Sequence, residues 1–259
     1  MNFGKSDNAR RNILARIRKA QGRGADSRQG VPASQAELEA VSTYLKAHPR
    51  GPLPAVTGDV VANFRARAEA MQSTTEVVAS MRDAPAVVAR YLAARQLPAR
   101  GCVWPALPAL DWAGAGIDVA ARAAVDADLI GITGAFAGIA ETGTLMTVSG
   151  ADTSGSASLL PETHIAIVEA RRIVPHMEDA WNLLRAELGR PPRAVNFISG
   201  PSRTGDIEQT IVIGAHGPYR VHIVVVGEAR RPRGAGPGAC GARPQVARGG
   251  IMKPIEENE

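Results

Sequence analysis

Cysteine is scarce in this sequence. Cys102 and Cys240 are its two cysteines, they lie far apart, and neither belongs to a Cys-x-x-Cys pattern. Structural zinc sites and iron–sulfur clusters need several cysteine or histidine ligands at short spacings. The sequence therefore argues against a disulfide scaffold and against a cysteine-ligated zinc or iron–sulfur site within this chain. Any metal-cluster chemistry is expected on a partner.

Aromatic residues make up only 4% of the chain, which leaves few platforms on which single-stranded nucleic acid can stack. The net charge of +5 comes from the two ends, because residues 1–28 hold eight Lys/Arg against two Asp, and residues 229–259 hold six against three Glu. Residues 29–228 hold 16 basic and 20 acidic side chains, a net charge of −4. Since charged ends are usually solvated tails, we reject nucleic-acid binding as the main function.

Long hydrophobic runs are also missing. No apolar stretch approaches the ~20 residues that a membrane-spanning helix needs, and residues 1–12 offer no apolar segment typical of a signal peptide. We therefore expect a cytoplasmic protein without a transmembrane segment. A hydrophobic content of 45% is enough for a sizeable core, and the length of 259 residues favours one domain of about 200 residues with appendages.

The N-terminal part predicts a helix and a linker. Residues 8–20 place Ile13, Leu14 and Ile17 on one face with arginines around the rest, which predicts a short basic amphipathic helix. Such a helix either docks on its own domain or faces a partner or a membrane. Residues 21–34 contain Gly, Ser and Pro and are typical of a linker.

The remaining chain predicts an α/β domain. Helices are expected at about residues 34–46, 60–71, 84–94 and 177–188, and strands at 101–104, 117–120, 129–133, 144–149, 164–168, 194–199 and 221–226. Alternation of strands and helices indicates an open, largely parallel sheet flanked by helices.

We expect one domain over residues 35–228, helical at first and with its α/β core at about 101–228. Residues 229–259 are rich in Gly, Pro and Arg and predict a disordered tail, which an altered reading frame would also produce.

The first candidate site segment is residues 131–150, GITGAFAGIAETGTLMTVSG. Its glycines allow a ligand to approach backbone N–H groups closely, and Glu141 beside Thr142, Gly143 and Thr144 is a candidate nucleophile or general base. The alternative is an ordinary glycine-rich turn in which Glu141 caps backbone groups.

The second candidate segment is LLPETHIAIV, residues 159–168. Alternation along a strand would place Glu162 and His164 on the same face, as a carboxylate that orients an imidazole. A structural pair at the start of a strand is the alternative. Two possible ligands at this spacing fall short of a metal site, so no metal is predicted.

Two further polar segments follow. Ser202, Arg203 and Thr204 come directly after a predicted strand, and Arg203 is suited to hold a carboxylate or phosphate beyond the carboxyl end of that strand. Asp206 and Glu208 would repel an anion unless they pair with Arg203, and we interpret them as positioning residues. In the segment GAHGPYR, His216 is either structural or part of the same pocket.

Together these segments resemble one known family. In order, ITGAFAGIAETGT, LLPETHIAIV, RIVP, FISGPSRTGDIE and GAHGP followed by HIVVVG resemble the lactate utilization protein C family, which carries the LUD domain; ARRNILARIRKA is similar to its first helix. The resemblance is dense over about residues 130–227, thinner over 35–129 and absent beyond 229. It implies a fold like that of the NagB/RpiA/CoA-transferase group and a role in bacterial oxidation of L-lactate to pyruvate, together with iron–sulfur partner proteins.

The resemblance leaves three functions open. The leading hypothesis is a subunit of a lactate-oxidising complex that binds no cofactor itself, with Glu141 or His164 as proton-transfer residue and Arg203 as contact for a small carboxylate. A stand-alone enzyme acting on a sugar phosphate, folate or acyl-CoA is the second, since the Glu141-Thr142-Gly143 segment is similar to the nucleophile context of CoA transferases. A scaffold or regulatory subunit without catalysis is the third.

Overall fold

The computed structural model describes residues 4–20, 34–107, 109–205 and 212–227. Two compact units divide the chain at Leu53–Pro54. The first unit contributes α1 (Gly4–Ala20) and α2 (Gln35–Ala47). The amino end of α2 is fixed by a capping box, because the Ser34 hydroxyl accepts from the Glu37 N–H and the Glu37 carboxylate accepts from the Ser34 N–H. The predicted tail, and most of the predicted linker, lie outside the described residues.

The second unit contains the sheets. Its helices are α3 (Val60–Ala70), α4 (Ala84–Ala94), α5 (Ser156–Leu159) and α6 (Met177–Leu188). Its strands are β1 (Thr74–Val78), β2 (Arg100–Val103), β3 (Asp118–Ala121), β4 (Ile130–Gly134), β5 (Ala137–Ile139), β6 (Thr144–Val148), β7 (Thr163–Glu169), β8 (Ile173–Val174), β9 (Val195–Ile198), β10 (Arg203–Thr204), β11 (Val212–Ile213) and β12 (Arg220–Val226). Across the described parts of the chain, helices long and apolar enough to traverse a bilayer are absent.

The main sheet has six strands in the order β1-β12-β7-β4-β2-β3, and every neighbouring pair is parallel. The predicted α/β class with an open parallel sheet is therefore confirmed. The edge strand β1 lies within a region that the sequence predicts as mainly helical. The segment TTEVV has only a weak strand pattern, because it is short, contains a glutamate and begins only a few residues after α3.

A second, smaller sheet lies on one face of the main sheet. Its order is β8-β5-β6-β9, with antiparallel pairing of β6 to both β5 and β9. Leu145 of β6 packs in one cluster with Phe64 of α3 and Ile223 of the main sheet, whereas Met146 packs with Leu184 of α6. The small sheet and α3 therefore share the layer between the main sheet and α6. On the opposite face, α4 covers the main sheet.

The turn between β5 and β6 is held against α3 by a close backbone approach. Gly143 has φ +68°, and a Cβ at this position would lie 2.2 Å from the backbone nitrogen of Ala68. Gly200 has a similar contact, since its Cβ would lie 2.0 Å from the carbonyl oxygen of Met71. Any side chain at either position would push the end of α3 away.

Two histidines are buried within the central strands β7 and β12. His164 is fully buried and its Nε2 lies 2.8 Å from the Thr133 hydroxyl. His222 is 3% exposed, its Nδ1 lies 2.8 Å from the Thr74 hydroxyl, and its ring stacks on Tyr91. Burial lowers the pKa of both imidazoles to about 4, and the nearby charges of two arginines add to this for His222. Both rings are therefore neutral structural groups near pH 7.

The buried histidines should make the protein less stable in mild acid. Between pH 6.5 and about 4 the unfolded chain binds a proton on each imidazole and the folded chain does not, so the free energy of unfolding decreases as the pH falls through this window. Each histidine contributes a loss of about 1.4 kcal/mol per pH unit. The urea midpoints of the protein at pH 7.5 and 5.5 measure it. Replacement of His164 by Gln should reduce the difference between them, and equal midpoints in the unmodified protein would contradict the assignment.

The contact of Gly143 with α3 predicts unequal costs for two glycine substitutions. Gly189, after the end of α6, also has a positive φ of +71°, but a Cβ there would meet nothing within 4 Å. Gly189→Ala should cost about 1–2 kcal/mol because of its backbone conformation alone. Gly143→Ala should cost about 1–3 kcal/mol more, since a backbone clash is added. Urea unfolding of the two variants measures the difference, and equal losses would show that the turn does not depend on this close approach.

Candidate functional site

The turn between β5 and β6 carries Glu141, Thr142 and Gly143. Its backbone is fixed on two sides: the Gly143 N–H donates to the Ile139 carbonyl at 2.9 Å, and the Glu141 N–H donates to the Pro175 carbonyl at 3.1 Å. The turn is thereby attached to the segment that leads into α6. This attachment determines where the Glu141 side chain can reach.

The Glu141 carboxylate caps the amino end of α6. Its Oε2 lies 2.9 Å from His176 Nδ1, and its Oε1 accepts from the Met177 N–H at 3.1 Å. Because an ionised carboxylate only accepts hydrogen bonds, His176 Nδ1 is the donor. The positive end of the helix dipole favours the negative charge at this place. The capping role that the sequence left open is thus observed, although each oxygen retains a lone pair for another donor.

Three hydroxyl groups form a chain next to this carboxylate. Thr142 Oγ1 donates to Thr144 Oγ1 at 2.8 Å, and Thr144 Oγ1 lies 2.6 Å from the Ser199 hydroxyl. These hydroxyls meet because β9 pairs with β6 in a register that brings Ser199, the residue after β9, opposite Thr144, the first residue of β6. Ser199 is exposed, so the chain ends at a hydroxyl that a ligand can reach.

These groups lie in a cleft of about 460 Å³ between α3, the turn and the start of α6. Its polar lining comes from Arg67, Glu141, Thr142, Thr144 and Ser199, and its apolar lining from Ala70, Met71, Met177 and Phe197. A smaller lobe of about 200 Å³ shares Arg67 and Glu141 and is also lined by residues 54–57. Asn63 holds this segment through a hydrogen bond to the Thr57 carbonyl. The cleft thus combines a cation, an anion, hydroxyls and an apolar wall.

Arg67 is the cation of this cleft. It lies on the exposed side of α3 and lines both lobes. Within the described part of the chain, no carboxylate lies within ion-pair distance of its guanidinium. Its five N–H donors are therefore available to an anion.

Arg203, the anion contact predicted from the sequence, is exposed and is not among the residues that line the cleft around Glu141. Its Nη2 donates to the Met71 carbonyl at 2.8 Å, at the carboxyl end of α3, where a cation is favoured. Arg203 and Thr204 form β10, which pairs with β11 in a short hairpin. Asp206 and Glu208 lie outside the described residues.

Ser202, Glu162 and His216 belong to a different region, at the amino ends of β7 and β12. The Ser202 N–H donates to the Pro218 carbonyl at 2.9 Å, and the Arg220 N–H donates to the Glu162 carbonyl at 3.1 Å. His216 and the Glu162 side chain are exposed. Among the residues that line the cleft around Glu141, none comes from this region.

The predicted arrangement in which Glu162 orients His164 is wrong. Glu162 precedes β7, and its carboxylate faces Arg220 at 3.8 Å. His164 is fully buried, and its Nδ1 has no hydrogen-bond partner among the described residues. Strand alternation does not extend to Glu162, because β7 begins one residue after it. His164 therefore has no route to a ligand in the cleft.

The described residues hold no group of three or more histidine, cysteine, aspartate or glutamate side chains placed to share a metal ion. Cys102 is buried in β2, and burial, together with the charge of Asp128, raises the pKa of its thiol to about 11. This keeps the thiol protonated and unreactive at neutral pH. Cys240 lies outside the described residues.

Sequence reasoning missed three groups in or beside the cleft: Arg67, His176 and Ser199. Arg67 is one of several arginines in a helix and carries no local pattern. His176 is marked only by its position between Pro175 and the helix segment, where it is the N-cap and its N–H donates to the Asp179 carboxylate. Ser199 could have been identified from the sequence, because it is the first hydroxyl residue after the predicted strand and directly precedes GPSRTG.

Comparisons with known proteins show which sequences this chain is similar to. Lactate utilization protein C of Bacillus subtilis (strain 168) is 39% identical over 102 residues, which cover 38% of this chain and 42% of that protein. The protein of the same name from Exiguobacterium sp. (strain ATCC BAA-1283 / AT1b) is 45% identical over 107 residues, 40% of this chain and 46% of that protein. The chain thus matches less than half the length of these relatives.

A crystal structure of a DUF162 family protein from Deinococcus radiodurans is similar with a TM-score of 0.49 and 26% sequence identity, and the match covers 67% of this chain and all of that one. The family model of the LUD domain matches residues 61–226, which include most of the cleft. Since this match extends over more than half of the chain, the protein belongs to the LUD domain family.

Proposed function

We propose that this protein is a component of a bacterial L-lactate utilization system that acts in the cytoplasm together with iron–sulfur partner proteins. The relatives named lactate utilization protein C support the pathway. The sequence supports the location of the clusters on partner proteins, because Cys102 and Cys240 do not have the spacing of cluster ligands. Partner clusters would also supply the acceptor that electrons from lactate need.

The observation that carries the proposal is the content of the cleft around Glu141. A small hydroxy carboxylate offers one anionic group, one hydroxyl and a short apolar part. The cleft offers a guanidinium that pairs with no carboxylate among the described residues, a carboxylate beside a chain of hydroxyls, and an apolar wall. In this proposal Glu141 is the group that accepts a proton or hydrogen bond from the ligand, and Thr142 and Thr144 position it.

The cleft volume supports a second candidate. About 460 Å³ lies within the range of sites that hold larger ligands and exceeds what a three-carbon acid fills. A stand-alone enzyme acting on a sugar phosphate, folate or acyl-CoA would use this space. Turnover of such a substrate by the purified protein without partners would favour this candidate over the subunit.

A gene deletion tests the lactate role. A strain without this protein should not grow with L-lactate as sole carbon source and should grow normally on glucose, because only lactate oxidation depends on the complex. Expression of the unmodified protein should restore growth. Glu141→Gln should restore it poorly, whereas the matched control Glu187→Gln, which alters a surface carboxylate paired with Arg172, should restore it fully. Unimpaired growth of the deletion strain on L-lactate would refute the proposed role.

A biochemical measurement complements the growth test. The protein co-expressed with its neighbouring iron–sulfur gene products should support lactate-dependent reduction of a dye. Omission of this chain should abolish that reduction. Equal reduction with and without it would show that the partners act alone.

A further inference from the structure

We propose that Arg67 and Glu141 form a binding site that selects 2-hydroxy carboxylates over 2-oxo carboxylates, and that this chain itself holds the acid. The inference rests on the proposed function and names the ligand class and the two residues that recognise it. Neither residue role follows from the family match.

Arg67 binds the carboxylate. A guanidinium and a carboxylate form two parallel charge-assisted hydrogen bonds, which are about twice as strong as neutral ones. Arg67 lines both lobes of the cleft, and no described carboxylate competes for it, including Glu141 in the same lining. Arg203 is less suited, because one of its nitrogens already donates to the Met71 carbonyl.

Glu141 recognises the substituent on the adjacent carbon. Its two oxygens are held by His176 Nδ1 and the Met177 N–H, so the carboxylate is fixed in position. An ionised carboxylate can accept a hydrogen bond and cannot donate one. A hydroxyl group donates to it, whereas a carbonyl oxygen would face it with two lone pairs and no proton.

The hydroxyl chain of Thr142, Thr144 and Ser199 does not itself discriminate, because each hydroxyl can rotate to donate or accept. It satisfies the remaining lone pairs of the ligand in either case. Met71, Met177 and Phe197 provide the apolar surface against which the hydrocarbon part of the acid lies. Selectivity between the two acid classes therefore depends on Glu141, and affinity for both depends on Arg67.

The test is isothermal titration calorimetry of the purified full chain with L-lactate, pyruvate and propionate. L-lactate should bind at least about tenfold more tightly than pyruvate, because a site built to accept a hydroxyl proton leaves a lone pair unpaired against a carbonyl. Propionate, which has no substituent on that carbon, should bind more weakly than L-lactate. Equal dissociation constants for the three acids would overturn the selectivity.

Arginine variants locate the carboxylate contact. Arg67→Ala should weaken L-lactate binding at least about tenfold, and Arg67→Lys should retain part of it because a lysine supplies charge without the planar pair of donors. Arg203→Ala should have a smaller effect, and Arg82→Ala, an exposed arginine outside the cleft, should have none. Loss of binding in Arg203→Ala with unchanged binding in Arg67→Ala would overturn the assignment of Arg67.

A glutamine variant examines the selectivity. Glu141→Gln introduces an amide that can donate to a carbonyl, so the ratio of L-lactate to pyruvate affinity should fall toward one. Thermal melting of this variant shows that it is folded, and Glu187→Gln, which alters a carboxylate paired with Arg172 outside the cleft, is the control. An unchanged ratio in folded Glu141→Gln would remove Glu141 from the selection.

The two proposals can fail separately. If the deletion strain cannot grow on L-lactate but the purified chain binds none of the three acids, the lactate role stands and the Arg67–Glu141 site falls. If the chain binds L-lactate selectively but the strain grows without it, the site stands and the role in lactate utilization falls.

Discussion

The bidentate cap that Glu141 places on α6 is the interaction on which the cleft depends. Through Oε2 it orders the His176 ring, and through Oε1 it fixes the first backbone N–H of the helix. The carboxylate belongs to the turn between β5 and β6, and α6 covers the outer face of the same small sheet. One side chain therefore joins the turn, the helix and the packing of the layer between them. The positive end of the α6 dipole in turn stabilises the negative charge of the Glu141 carboxylate.

The sequence predicts much of this fold because the central strands and the longer helices have strong patterns. The segments THIAIVE and RVHIVVV are apolar on both faces, as expected of strands buried within a parallel sheet. MEDAWNLLRAEL has helical periodicity and ends before a glycine. Short elements such as β5, β8 and β10 carry too few residues for a pattern, since their pairing depends on contacts that are distant in the sequence.

The candidate site could be predicted only in part, for a similar reason. Glu141, Thr142 and Thr144 form a local polar motif between glycines, and the structure keeps them together. Arg67 and Ser199 join them only through tertiary packing, because α3 and β9 lie far from the turn along the chain. His164 illustrates the opposite error: its residue type suggested chemistry, but desolvation within the sheet keeps its imidazole neutral and inaccessible.

The two close backbone approaches to α3 have a consequence for ligand binding. At Gly143 and Gly200 the chain touches the helix without an intervening side chain, so no rotamer change can take up or create space there. Backbone contacts at these two glycines therefore fix the distance between α3 and the segments that carry Gly143 and Gly200. A ligand that enters does not have to order these walls, and the entropy lost on binding is confined to the ligand and a few exposed side chains.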